Sequence, residues 1–226
     1  QHGDGVKDIA LLVDDARASF EETTKRGATP VQKPTVHEDD EGQIITATIA
    51  TYGDTVHTFV ERSDYTGFFF PGFEAWDNKF WESPAGAGLQ YVDHCVGNVN
   101  EGDMDKYVEY YAQTMGFYNM LHFTDQDIST EYSALMSKVM ANGDEKIKFP
   151  INEPAEGKKK SQIEEYLEFY RGPGVQHIAL ATNDIIDAVQ ELRRRGVEFL
   201  HVPDTYYDRE VLTERVGRIN ESIEAL

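Results

Sequence analysis

One phrase occurs twice in this chain, as Gly5-Val-Lys-Asp8-Ile-Ala-Leu11 and again as Gly174-Val-Gln-His177-Ile-Ala-Leu180, with an acid in the first copy where the second has histidine. The offset is 169 residues, and it also carries Gly27 onto Gly196 and Pro34 onto Pro203. Landmarks that keep register over such a distance mark a repeated structural unit. The chain is therefore expected to contain related modules, one of which kept a ligand that the other lost.

At 226 residues there is room for one large domain or two modest ones, and the repeat favours two. Hydrophobic residues at 40% and aromatics at 12% are enough for packed cores. Against 21 basic residues stand 41 acidic ones, a formal net charge of −20 that repels phosphate backbones, so no nucleic-acid partner is expected. The acidity reads as a solvated surface. A single cysteine, Cys95, cannot form an intramolecular disulfide, and the expected location is the cytoplasm. No apolar run reaches the roughly 18 to 20 residues needed to cross a bilayer, and the opening Gln1-His-Gly-Asp-Gly lacks signal-peptide character. The N-terminus reads as cut, because a strand begins within a few residues of it.

Val6 to Val13 reads as a buried strand, after which Asp14 or Asp15 caps a helix through Lys25 that stops at Gly27. Residues 44–50 and 55–61, rich in β-branched side chains around Tyr52-Gly53-Asp54, read as a hairpin. The unit is of βαβββ kind. Residues 76–90, with aromatics, glycine and proline, read as a packed linker between a first module at 1–75 and a second at 91–226. In the second, 89–99 is a strand, Met104 to Met115 a helix, and 131–141 and 146–151 are strands. Glu156-Gly-Lys-Lys-Lys160 reads as a solvated loop rather than a basic site. Ser161 or Gln162 opens a helix through Tyr170, the duplicated strand follows, and 185–195 and 209–226 are helical. The 169-residue offset carries the strand ending at Glu61 beyond Leu226, so the last part of the repeat is expected to be missing.

His94 and His177 each lie inside an apolar strand, where an imidazole is costly without a partner. Alone, either fits a hydrogen-bonded core residue; their matched positions at the starts of strand-helix units favour a metal pair. Two neutral imidazoles and one carboxylate would leave three positions open on a ferrous ion, room for an oxo acid and dioxygen together. Strand alternation puts Cys95 on the opposite face, as a small core residue. His2, His37, His57, His122 and His201 read as loop residues or neighbours of polar runs and receive no role.

Asp93-His-Cys-Val-Gly-Asn98, Phe149-Pro-Ile-Asn-Glu-Pro154, Lys159-Lys-Ser-Gln-Ile163, Gly174 to Leu180 and Val202-Pro-Asp-Thr-Tyr-Tyr207, in that order, resemble the 4-hydroxyphenylpyruvate dioxygenases over nearly the whole chain. The stretches from His2 to Ala10 and Thr51 to Thr55 fit the later part of that family's N-terminal domain. The resemblance implies an α+β fold of tandem βαβββ modules of the vicinal-oxygen-chelate type, like glyoxalases and extradiol dioxygenases, forming open barrels. It implies Fe(II) held by His94 and His177, with a glutamate as third ligand expected beyond Leu226. Ser137, Asn152, Gln162 and Gln176 match substrate-lining positions, although a turn, helix-start or strand role would also account for each. Glu61, the first module's repeat-mate of the third ligand, is not nominated, since Asp8 stands where a histidine would be needed.

The implied reaction turns 4-hydroxyphenylpyruvate and O2 into homogentisate and CO2, a step of tyrosine and phenylalanine breakdown, in a homodimer or homotetramer. Two other readings stay open: hydroxymandelate synthase, which oxidises the benzylic carbon of the same substrate, and a module of this fold that binds a small molecule without turnover. A chain lacking the carboxylate ligand is expected to bind iron weakly and turn over little.

Overall fold

A strand, a helix and three more strands follow one another twice in the computed structural model, which describes residues 2–75, 86–123, 134–155 and 160–200. The first set is β1 (Asp8–Leu12), α1 (Ala16–Lys25), β2 (Pro30–Asp39), β3 (Gly42–Ala50) and β4 (Val56–Glu61). The second is β5 (Leu89–Asn98), α2 (Met104–Met115), β6 (Tyr118–Phe123), β7 (Ala134–Ala141) and β8 (Lys148–Ala155). After them come α3 (Gln162–Tyr170), β9 (Gly174–Thr182) and α4 (Ile185–Arg194).

The two sheets share one pairing scheme. In the first, of order β1-β4-β3-β2, β1 runs parallel to β4 and the other neighbours are antiparallel. In the second, of order β6-β7-β8-β5-β9, β5 is parallel to β8, while β8–β7 and β7–β6 are antiparallel. A parallel pair requires a crossover, and each set makes it through its helix and two strands. Both sheets are open, as the α+β expectation of βαβββ modules requires.

Local chemistry explains the helix limits. The Asp15 carboxylate accepts from the Ala18 amide at 2.8 Å and starts α1. Gly116, at φ 70°, ends α2 in the left-handed conformation. Ser161 and Glu164 close a reciprocal capping box on α3, with the Glu164 carboxylate 2.7 Å from the Ser161 amide. Asp184 caps α4 by accepting from the Asp187 amide at 3.0 Å.

Two strands depart from the sequence reading, which named neither Pro30–Asp39 nor Tyr118–Phe123. Both lie at sheet edges. Residues 131–133 of the expected strand at 131–141, most of the linker at 76–90, the loop at 156–159 and the helix at 209–226 lie outside the described residues.

The chain divides into two compact units, residues 1–77 with 92–179 and residues 78–91 with 180–226. The core of the first joins both repeats: Phe20, Ile49, Tyr52 and Phe59 pack in one cluster with Cys95, Tyr111, Phe117 and Phe149. Burying an aromatic or aliphatic side chain of this size contributes about 1.5–3 kcal/mol. Phe117 and Phe149 stack with centroids 5.8 Å apart and planes 6° from parallel. In the second unit Glu191 accepts from Arg194 and Arg195 on the exposed side of α4. Arginine bonding holds the Glu191 carboxyl down at about 2.

Candidate metal centre

Because β5 and β9 are neighbours in their sheet, His94 and His177 meet although 83 residues separate them in sequence. Their ring centroids are 5.8 Å apart and their planes are inclined at 73°. His94 Nδ1 lies 2.8 Å from Asp93 Oδ2, and His177 Nδ1 lies 2.9 Å from Gln176 Oε1. A carboxylate or amide oxygen only accepts, so in each ring Nδ1 carries a proton, and in the neutral ring Nε2 is then the nitrogen with the lone pair. That is the tautomer a metal-binding imidazole needs.

The electrostatics are local. The Asp93 carboxyl is held below its usual range, first by the hydrogen bond from His94 and then by Lys148, whose Nζ is 2.8 Å from Asp93 Oδ1. His177 is exposed on its strand, yet desolvation of the ring and the neighbouring His94 lower its basicity. The second shift favours the neutral imidazole of His177.

A cavity of about 370 Å³ opens beside the pair. Val96, Met120, Leu121, Val139 and Pro150 make its apolar walls, and Ser137, Asn152 and Lys148 add polar groups beside Asp93 and the two histidines. Ser137 on β7 and Asn152 on β8 are register partners and both are buried. Of the four expected substrate residues, the structure therefore brings Ser137 and Asn152 to the cavity. Gln162 is exposed at the first position of α3, and Gln176 turns its amide oxygen to His177; neither lines the cavity. Cys95 is buried in the core on the far face of β5, and burial pushes its thiol up.

In the first repeat Asp8 is tied up by hydrogen bonds within its own sheet. Asp8, the repeat-mate of His177, lies on β1, which pairs in parallel with β4 as β5 does with β8. Its carboxylate accepts from the Thr58 amide at 3.1 Å and the Thr58 hydroxyl at 2.6 Å. Thr58 in turn meets the Thr48 hydroxyl at 2.9 Å. Glu61 accepts from the Ala16 amide at 2.9 Å and so serves the start of α1.

Of the five histidines given no role, three lie in strands and not in loops. His37, His57 and His122 lie in β2, β4 and β6. His57 is fully buried, and its flanking threonines concealed that from sequence reading. His2 bonds Asp54 at 2.8 Å and the Tyr170 carbonyl, and the Asp54 bond raises its basicity first. His201 lies outside the described residues.

Does the donor set suit a metal? Two imidazoles with Nδ1 committed and Nε2 free are suitable donors for a first-row divalent ion. Among the described residues no third His, Cys, Asp or Glu joins them in a ligand group. The residues present fit part of a metal shell.

The sequence profile described as "Glyoxalase/Bleomycin resistance protein/Dioxygenase superfamily" matches residues 91–213, just over half of the chain. The chain belongs to this superfamily. Within the superfamily, it is 48% identical over 229 residues to the 4-hydroxyphenylpyruvate dioxygenase of Yarrowia lipolytica, a match covering 99% of this chain and 57% of that protein. The enzyme of the same name from Aspergillus fumigatus is 49% identical over 231 residues, covering 100% of this chain and 57% of the relative. The chain thus spans about 57% of the length of these curated relatives. A substituted form of 4-hydroxymandelate synthase from Streptomyces coelicolor has the same fold, with a TM-score of 0.77 at 27% identity, covering 100% of this chain and 61% of that one. Superfamily membership together with these relatives implies a metal cofactor.

Proposed function

We propose that the chain is part of an Fe(II)-dependent dioxygenase that converts 4-hydroxyphenylpyruvate and O2 to homogentisate and CO2. The observation that carries this reading is the meeting of His94 and His177, each with Nε2 free, beside a cavity whose buried polar groups are Ser137 and Asn152. Identity of 48% to the Yarrowia enzyme supports the choice of reaction.

Iron held by His94 and His177, with a glutamate outside these 226 residues as third ligand, would supply the oxygen-binding redox chemistry. The chain's own residues do the rest. The Ser137 hydroxyl and Asn152 amide both donate and accept, which suits a phenol or an oxo acid. Apolar walls from Val96 to Pro150 suit the ring of an aromatic acid, and about 370 Å³ accommodates one acid of this size. Direct substrate contacts by Gln162 and Gln176 belong to the same proposal, as do the division at 76–90, a cytoplasmic location, and a homodimeric or homotetrameric assembly.

The test compares Fe(II) affinity and oxygen uptake in this chain and in one extended by about 120 to 150 residues, a typical domain length. Weak binding and little turnover are expected from the short form, and His177→Ala should abolish turnover in the long one. Full activity of the short form would place the third ligand within it. The resemblance to 4-hydroxymandelate synthase favours a second reading, oxidation at the benzylic carbon. Mass spectrometry of the product decides between them, and hydroxymandelate alone would overturn homogentisate formation.

A further inference from the structure

Lys148 on β8 is the register partner of His94 on β5, and the carboxylate of Asp93 lies between their side chains. One oxygen, Oδ2, is 2.8 Å from His94 Nδ1; the other, Oδ1, is 2.8 Å from Lys148 Nζ. We infer that Asp93 and Lys148 form a positioning pair: the lysine occupies one carboxylate oxygen, and the other then fixes His94 as its Nδ1–H tautomer with Nε2 toward the cavity. The inference rests on the reading of His94 as a metal ligand.

An ion pair of Asp93 and Lys148 made only for stability would contribute little, since both groups reach solvent, with side chains 29% and 22% exposed. Their placement has a more specific effect. Without Lys148 the carboxylate could rotate or take water on either oxygen; with it, the ring faces one committed acceptor. The second histidine follows the same local rule, because Gln176, also one residue before its histidine, accepts from His177 Nδ1. A carboxylate in one half and an amide in the other give the two rings unequal partners. His94 is the more electron-rich donor.

The geometry makes an asymmetric prediction. In Asp93→Asn, Lys148, which also donates to the Glu145 carbonyl at 3.3 Å, keeps the closer side-chain oxygen as acceptor and so takes the amide oxygen. The amide NH2 then faces His94, so Nδ1 must accept and the ring proton moves to Nε2, blocking the metal position. Adding Lys148→Met frees the amide to turn round, and its oxygen can again accept from Nδ1.

Long-range 1H–15N correlation of the histidine rings in the metal-free protein reads the tautomer directly, at about pH 8 where an ordinary imidazole is neutral. His94 is expected as Nδ1–H in the parent, as Nε2–H in Asp93→Asn, and as Nδ1–H again in Asp93→Asn with Lys148→Met. Co(II) affinity should fall by about 10–100-fold in the single variant and recover in the double one. An unchanged tautomer in Asp93→Asn, or no return in the double variant, overturns the positioning role. His94→Ala separates the two ideas: if it binds Co(II) as the parent does, the ligand reading fails whatever the tautomers show.

Discussion

The imidazole of His57 on β4 and the hydroxyl of Tyr111 on α2 meet at 2.7 Å with both side chains fully buried, a polar bond between the two repeats. On the other side of the ring, His57 Nδ1 lies 3.1 Å from the Ile9 carbonyl. A carbonyl only accepts, so Nδ1 donates and Nε2 accepts from Tyr111. Phe149 lies against both rings at centroid distances of 5.2 Å. Burial drives the imidazole down to about 4 and holds the Tyr111 phenol well above its ordinary range.

Acid should therefore unfold the protein through His57. Its basicity is lower in the folded state than the ordinary 6.5, so the stability it contributes is complete above about pH 6.5 and is lost as pH falls toward about 4. Each unit in that window costs about 1.4 kcal/mol, on the order of 3 kcal/mol in all. Urea denaturation between pH 7.5 and 4.5 measures it. His57→Gln can donate to Ile9 and accept from Tyr111 without titrating, and should flatten this part of the profile. An unchanged slope would assign the acid sensitivity elsewhere.

Removing the other partner tests the same bond without any proton uptake. Tyr111→Phe keeps the ring stacked on Phe117 and tilted against Phe149 but leaves His57 Nε2 buried without the Tyr111 hydroxyl. A loss of about 1–3 kcal/mol is expected at neutral pH. Neutral-pH denaturation with less than half a kcal/mol of change would mean that Nε2 finds another donor.

Gly97, on the core face of β5, is in contact with the buried Tyr52 from the β3–β4 turn: a Cβ there would lie 2.5 Å from the ring. The ring is enclosed and cannot yield, so Gly97→Ala should cost about 1–3 kcal/mol by overpacking. Gly143, where a Cβ would meet nothing within 4 Å, is the control, and Gly143→Ala should change stability little. Equal thermal midpoints for the two variants would sink the close-packing account.

How much of this was legible beforehand depended on whether the signal was local. Helix limits were, because Asp15, Gly116, Ser161 and Asp184 act on amides or carbonyls within a few residues. β2 and β6 were not: each pairs on one side only, and β2 carries Pro30, Pro34 and an almost wholly exposed face with register shifts near Gln32. The His94–His177 pair was visible through repetition, whereas Lys148 joins Asp93 only because β5 runs parallel to β8 across 55 residues of sequence. Alternation alone sends Gln176 away from His177, yet its amide turns back to the ring.

The same parallel pairing explains a second long-range contact, made by Glu153 at the start of α2. Asp103 is the N-cap by position, but its side chain makes no capping bond and its carboxylate accepts instead from Asn100 at 3.2 Å. Glu153, arriving from β8, accepts from the Met104 amide at 3.0 Å in a buried setting, just as Glu61 serves Ala16 in the first repeat. A carboxylate there satisfies one of the helix's open amides and lies at the positive end of its dipole. Glu153→Ala should then cost about 1–3 kcal/mol, because the Met104 amide is left buried and unpaired. Asp103→Ala, although it alters the nominal cap, should cost about 0.5 kcal/mol or less. Hydrogen exchange at Met104 reads the difference directly: faster exchange in the Glu153 variant alone is expected, and equal acceleration in both would return the cap to Asp103.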